Sequence, residues 1–186
     1  MTLVIYLVAV LVLFVVAYLL LRGPIREYLV MRGDRVVTCP DNGQPAGVIV
    51  DAAHAAISAA RGYRELNLSQ CSRWPEKAGC GQQCLRQIDA APLDCLVKTH
   101  LSNWYADKTC AICGKSLQPL DWTHHRPAVM SSDGHTYEWH EIKAESLPSV
   151  MGTHSAICWD CHVVEVFRRQ RADLVLDNPF GERPKR

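Results

Sequence analysis

The sequence predicts an α+β protein: an N-terminal transmembrane helix, a small cysteine-rich α+β unit, and a second small module built around paired cysteines. Three observations carry this reading. Thr2–Leu21 is a run of twenty residues without a charge, a glycine or a proline. After it, short β-branched runs flank one alanine-rich stretch. The chain of 186 residues also holds nine cysteines in two groups, and the later group contains two C-x-x-C pairs.

At 1.5 Å per residue the apolar run just spans a hydrocarbon core of about 30 Å. Tyr6 and Tyr18 sit near its ends, where amphipathic rings favour the interface. A cleaved signal peptide would carry a basic start and a small-residue cleavage site. Here nothing basic precedes the run, and Leu-Leu-Leu-Arg follows it. Residues 1–22 are therefore read as the anchor, with Gly23-Pro24 ending the helix and 23–37 as a juxtamembrane segment. Arg22, Arg26, Arg32 and Arg35 all follow the span, so the positive-inside bias puts the soluble region in the cytoplasm.

The next region, 38–104, is expected to be the cysteine-rich α+β unit. Val36–Thr38 reads as a strand, Asp41-Asn42-Gly43 as a turn and Val48–Val50 as a returning strand. Asp51 is an N-cap for a helix ending at Arg61-Gly62. Leu66 and Leu68 alternate with polar residues, as in a half-buried strand. Helices are expected around Gln82–Ile88 and Pro92–Tyr105. In the second module, 105–172, Pro127–Met130 and Thr136–Ile142 form a hairpin across Ser131–Gly134, and a helix starts near Cys158. Residues 173–186 are a polar tail.

Charge excludes one function class. Twenty basic and nineteen acidic residues give a formal net charge of +1. That is no field for non-specific nucleic-acid binding, so nucleic acid is not an expected partner. Five tryptophans read as core or rim aromatics, and His54 and His100 as packed or exposed side chains. No Ser-His-Asp order, nucleotide loop or paired-carboxylate site stands out.

Cys110-Ala-Ile-Cys113-Gly is the strongest local motif. Two thiolates at i and i+3 on a tight turn grip one Zn²⁺, and the glycine permits that turn. Cys158-Trp-Asp-Cys161 supplies a second pair in the first turn of a helix. A reducing cytoplasm favours metal over disulfides for these thiols. A knuckle, a hairpin and a helix-borne pair make up the treble-clef (or zinc-ribbon-like) arrangement, with Cys110, Cys113, Cys158 and Cys161 as ligands.

Cys110–Cys113, Thr123-His124-His125-Arg126-Pro127 and Ile157-Cys158-Trp-Asp-Cys161-His162 together resemble the skeleton of zinc-stabilised HNH endonucleases over about 60 residues. The resemblance implies His125 or His124 as general base and His162 as a ligand of a catalytic ion. Two positions depart from it. Thr123 or His124 stands where that family has an acidic residue, and Thr153 where it has a positioning asparagine. An HNH-like module without nuclease chemistry is therefore expected. Cys158-Trp-Asp-Cys161-His162 also fits the C-x-x-C-H haem attachment pattern. Haem would need Met130, Met151 or His154 as axial partner, and would leave Cys110 and Cys113 without their partners.

Cys39, Cys71, Cys80, Cys84 and Cys95 form the first group. The first four are the preferred set for a second site, holding a metal ion or an iron–sulfur cluster. Cys95, in Leu93-Asp-Cys-Leu-Val97, reads as a small apolar residue. The expected function is a membrane-anchored, zinc-binding accessory or scaffold protein with a protein partner in a membrane complex. The alternatives are a membrane-tethered HNH-like nuclease and a haem c or iron–sulfur electron carrier.

Overall fold

The computed structural model describes residues 2–74, 76–77, 79–124 and 126–171. The tail 173–186 lies outside them. The chain divides into two compact units, Met1–His100 with Ala144–Leu147, and Leu101–Lys143 with Pro148–Arg186. The architecture is α+β, with one long apolar N-terminal helix and two small antiparallel sheets.

Helix α1 runs from Thr2 to Met31, and its apolar side chains are exposed along the first twenty residues. It is long and apolar enough to cross a membrane. The expected stop at Gly23-Pro24 is corrected: Pro24 lies inside the helix. Proline removes one backbone hydrogen bond but does not forbid the next turn when other contacts hold it. Here the last turn is held from below. Met31 is fully buried and Val30 packs against the unit 1 core. At 1.5 Å per residue, thirty residues extend about 45 Å, longer than a hydrocarbon core needs.

Strands β1 (Asp34–Thr38), β2 (Pro45–Val50) and β3 (Leu68–Cys71) form the sheet of unit 1 in the order β1-β2-β3. Alternation puts Val37 from β1 and Ala46, Val48 and Val50 from β2 into the core. Helix α2 (Ala52–Ala60) follows, with the Asp51 carboxylate accepting the His54 N–H at 2.9 Å. Its buried face is Ala52, Ala55, Ala56 and Ser58, small enough to admit the end of α1. Leu66 lies before β3 and packs against the core without joining the strand. Helices α3 (Leu85–Ala90) and α4 (Val97–Tyr105) both start later than expected. Gln82 has a positive φ of 51°, outside the right-handed helical range, and residues 92–95 form turns before Leu96 bridges to Arg35. Ala144–Ser146 returns to unit 1 as a 3-10 turn. A side chain at Gly47 would meet Glu145 Oε2 at 2.8 Å and Ala144 Cβ at 2.9 Å, so only glycine admits this approach.

Arg35 occupies a core-facing position of β1 and is fully buried. Its guanidinium donates to Met31 O at 2.6 Å, Val30 O at 2.5 Å and Gly33 O at 3.0 Å. The Val30 and Met31 carbonyls end α1 and have no partner within it, and Gly33 follows the helix. Arg35 is thus a cap on the long helix and not a surface charge, which corrects its place among the flanking arginines.

Unit 2 contains β4 (Ala128–Met130), β5 (Thr136–Glu138) and β6 (Ser155–Ile157) in the order β5-β4-β6, with α5 (Leu147–Thr153) leading into β6 and α6 (Trp159–Gln170) following it. The second hairpin strand ends at Glu138, because Trp139–Glu141 turns into a 3-10 helix. Tyr105 is fully buried; its hydroxyl donates to Ala128 O at 2.6 Å and accepts the Trp139 indole N–H at 3.0 Å. The Trp104, Tyr105 and Trp139 rings meet edge to face at 4.8–6.1 Å. This aromatic group and the Cys110 and Cys158 thiols belong to one core.

Candidate metal centre

The Cys110 turn is built by local hydrogen bonds. Gly114 N–H donates to Cys110 O and Cys110 N–H to Lys115 O, both at 2.8 Å. Gly114 has a φ of +74°, open to glycine at little cost. Ala111 N–H donates to Ala156 O at 2.9 Å, which seats this turn on the free edge of β6. The chain then passes from β6 through Cys158, the residue preceding α6, to Cys161 in the first turn of the helix. Two sequence-distant pairs are thereby brought together.

The four sulfurs of Cys110, Cys113, Cys158 and Cys161 all lie within 4.8 Å of one another and can hold a metal ion. Cys113 Sγ and Cys158 Sγ are 3.8 Å apart. A tetrahedral ion with Zn–S near 2.3 Å needs sulfurs about 3.8 Å apart. Cys110 and Cys158 are buried, Cys161 is half-buried and Cys113 is exposed. Burial opposes the thiolate at Cys110, but N–H groups of Cys113, Cys158 and Ile112 outweigh it and bring the thiol down to about 7. The Cys158 N–H reaches that sulfur at 3.3 Å. Burial pushes both Cys158 and Cys161 up, with the neighbouring Cys110 and Cys113 sulfurs adding to it. A metal cation bound here would remove this conflict by holding the sulfurs as thiolates.

His162 follows the quartet on α6 but turns away from solvent. It is buried, with Nε2 3.8 Å from Glu138 Oε1, and its Nδ1 has no partner among the described residues. Burial lowers its pKa, against the pull of Glu138 and Glu141, so the ring is neutral at pH 7. Trp159 packs on it with ring centroids 5.5 Å apart. His124 is exposed and belongs to a turn around Asp121, whose Oδ1 accepts the N–H groups of Thr123 and His124 at 2.8 and 3.0 Å. His125 lies outside the described residues. The Thr153 hydroxyl donates to Ser149 O of its own helix at 2.8 Å.

In unit 1, Cys39, Cys71, Cys80 and Cys84 line one small cavity. Cys95 stands apart, its Sγ 3.8 Å from Gln87 O and its carbonyl accepting the Val36 N–H at 2.9 Å. Among the described residues, only the unit 2 quartet brings its sulfurs so close together. Sequence reasoning missed the parts that position these thiols: β6, the Ala111–Ala156 hydrogen bond, and the glutamines Gln82 and Gln87. A three-residue strand and a lone glutamine leave no periodic signal.

Comparisons of the chain with protein-family models, with curated proteins and with solved structures found no match.

Proposed function

We propose that the chain is a membrane-anchored zinc protein. In this reading α1 crosses the bilayer, and Zn²⁺ on Cys110, Cys113, Cys158 and Cys161 stabilises a treble-clef-type module. That module serves as an accessory or scaffold surface in a membrane complex. The carrying observation is that four cysteine sulfurs converge on one point. An ion with four thiolates has no coordination position left for water or substrate, which suits a structural role. The turn, the small sheet and the helix-borne pair support the treble-clef reading.

The rival readings ask for other arrangements. Haem attachment would take Cys158 and Cys161 out of the quartet. Nuclease chemistry would need His162 open to a metal ion, and it is buried against Glu138. Asp121 and Asp133 are each bound into their own turns. The full chain, purified in detergent, is expected to leave plasmid DNA intact with Mg²⁺, Mn²⁺ or Ni²⁺. Cleavage that disappears in His125→Ala at unchanged zinc content would make it a tethered nuclease.

Orientation has its own test. The arginines after the span favour a cytoplasmic soluble region, so a reporter fused after Arg186 should read out in the cytoplasm. Active alkaline phosphatase at that position would reverse the topology and give disulfides or haem more weight.

A further inference from the structure

Unit 1 holds five cysteines that the unit 2 centre does not use, and four of them come together from separate parts of its fold. Cys39 follows β1 at the hairpin, where its N–H donates to Gln44 O at 2.8 Å. Cys71 ends β3 opposite Val48. Cys80 lies in the loop before α3, and Cys84 directly precedes that helix. Two glutamines fasten these pieces together. The Gln87 side chain donates to Thr38 O at 2.6 Å and accepts Thr38 N–H at 3.0 Å, tying α3 to the end of β1. The Gln82 side chain accepts Leu68 N–H at 2.9 Å, tying the Cys80 loop to the start of β3. All four cysteines then line a single cavity of about 20 Å³.

We propose that Cys39, Cys71, Cys80 and Cys84 bind one Zn²⁺ ion in this cavity, a second four-thiolate site independent of the centre in unit 2.

The cavity's size selects the ligand. A volume of about 20 Å³ holds one water-sized body. That is room for a single ion. Charge agrees with this. Four thiolates around a divalent ion leave two negative charges, and Arg73 and Lys77, which also pair with Glu76 and Asp41, stand in the same cavity wall. Arg73 Nε is buried with no partner among the described residues. The backbone is also shaped for a sulfur ligand. Gln82 adopts a φ of 51°, costly for a side-chain-bearing residue, and its N–H thereby reaches Cys80 Sγ at 3.4 Å. The four sulfurs lack the close mutual approach of the unit 2 quartet, so holding one ion requires them to close to the spacing of about 3.8 Å that tetrahedral zinc needs. An adjoining open groove of about 380 Å³ shares Cys39, Cys80 and Lys77 with the cavity and offers the ion a route from solvent.

Elemental analysis of the full chain in detergent tests this. Two zinc ions per chain are expected, falling to one in Cys71→Ser/Cys80→Ser, and separately to one in Cys113→Ser/Cys161→Ser. Cys95→Ser should keep both. One zinc in the wild-type chain, removed by the Cys113/Cys161 pair, would overturn the second site and leave the first standing. Iron with visible absorption would overturn the choice of ion. X-ray absorption at the zinc edge of the wild-type chain needs no variant to fold. An average of four sulfurs per zinc is expected, and nitrogen or oxygen in the first shell of half the zinc would refute the proposal.

Discussion

Replacing Cys161 with serine in the full chain is expected to unfold unit 2 and leave unit 1 folded. Structural zinc contributes on the order of 10 kcal/mol of apparent binding energy that is also folding energy. That is comparable to the whole stability of a small domain. Unit 2 has a small core to rely on, in which Tyr105, Leu117, Ala128, Ala156 and Ile157 pack beside the cysteines, and its strands have three residues each. Unit 1 has its own core around Val48, Ala55 and Ile88. Hydrogen exchange on the chain in detergent gives the readout. Amides of β4, β6 and α6 should lose protection, while those of β2 and α2 keep it. Cys113→Ser should match, although Cys113 is the exposed member of the quartet. A chelator should produce the same loss in the wild type, reversed by added Zn²⁺. Acid should release the ion as protons take the thiolates. Native protection in a zinc-free Cys161→Ser chain would rule out the site.

Arg35→Met is the second substitution with a large expected effect, on unit 1. It removes a fully buried guanidinium and strips partners from Val30 O, Met31 O and Gly33 O together. Met31 O is buried and the other two acceptors are only partly so. A buried acceptor left without a partner costs about 1–3 kcal/mol, so the loss should reach about 2 kcal/mol. Arg35→Lys should rescue only part, because a compact ammonium lacks the planar fork that serves spread acceptors. Thermal unfolding in detergent, followed at the β1 and β2 amides, measures this. A melting curve indistinguishable from wild type would mean that the cap contributes nothing. Arg64 adds a second tie at the same place, reaching Glu27 on α1 at 2.6 Å and Asp89 on α3 at 2.5 Å. Being partly exposed and screened, it should matter far less.

Several features were legible without coordinates because they are local. The uncharged run from Thr2 to Leu21 can only be a long helix with apolar flanks. Asp51 ahead of an alanine-rich stretch marks a helix start, and the structure has that cap. Cys110-x-x-Cys113-Gly demands a left-handed turn, which Gly114 adopts. Alternation set the core faces of β1 and β2.

Other features misled for a physical reason. Pro24 is a helix breaker by its own chemistry, yet α1 continues to Met31, because Arg35 and the alanine face of α2 stabilise the turns beyond it. Arg35 reads as a flanking charge until β1 forms and turns it inward.

The sequence by itself determined the membrane-length helix, the α+β character and the two C-x-x-C pairs, since each is written in neighbouring residues. Only the tertiary structure decided that the sulfurs of Cys110 and Cys113 meet those of Cys158 and Cys161, and that the four thiols of unit 1 line one cavity. Those outcomes depend on β6 pairing with β4 and on Gln82 and Gln87 reaching across to β3 and β1. Such contacts join residues far apart in the chain and are stable only when every partner is in place, so no local stretch of sequence encodes them.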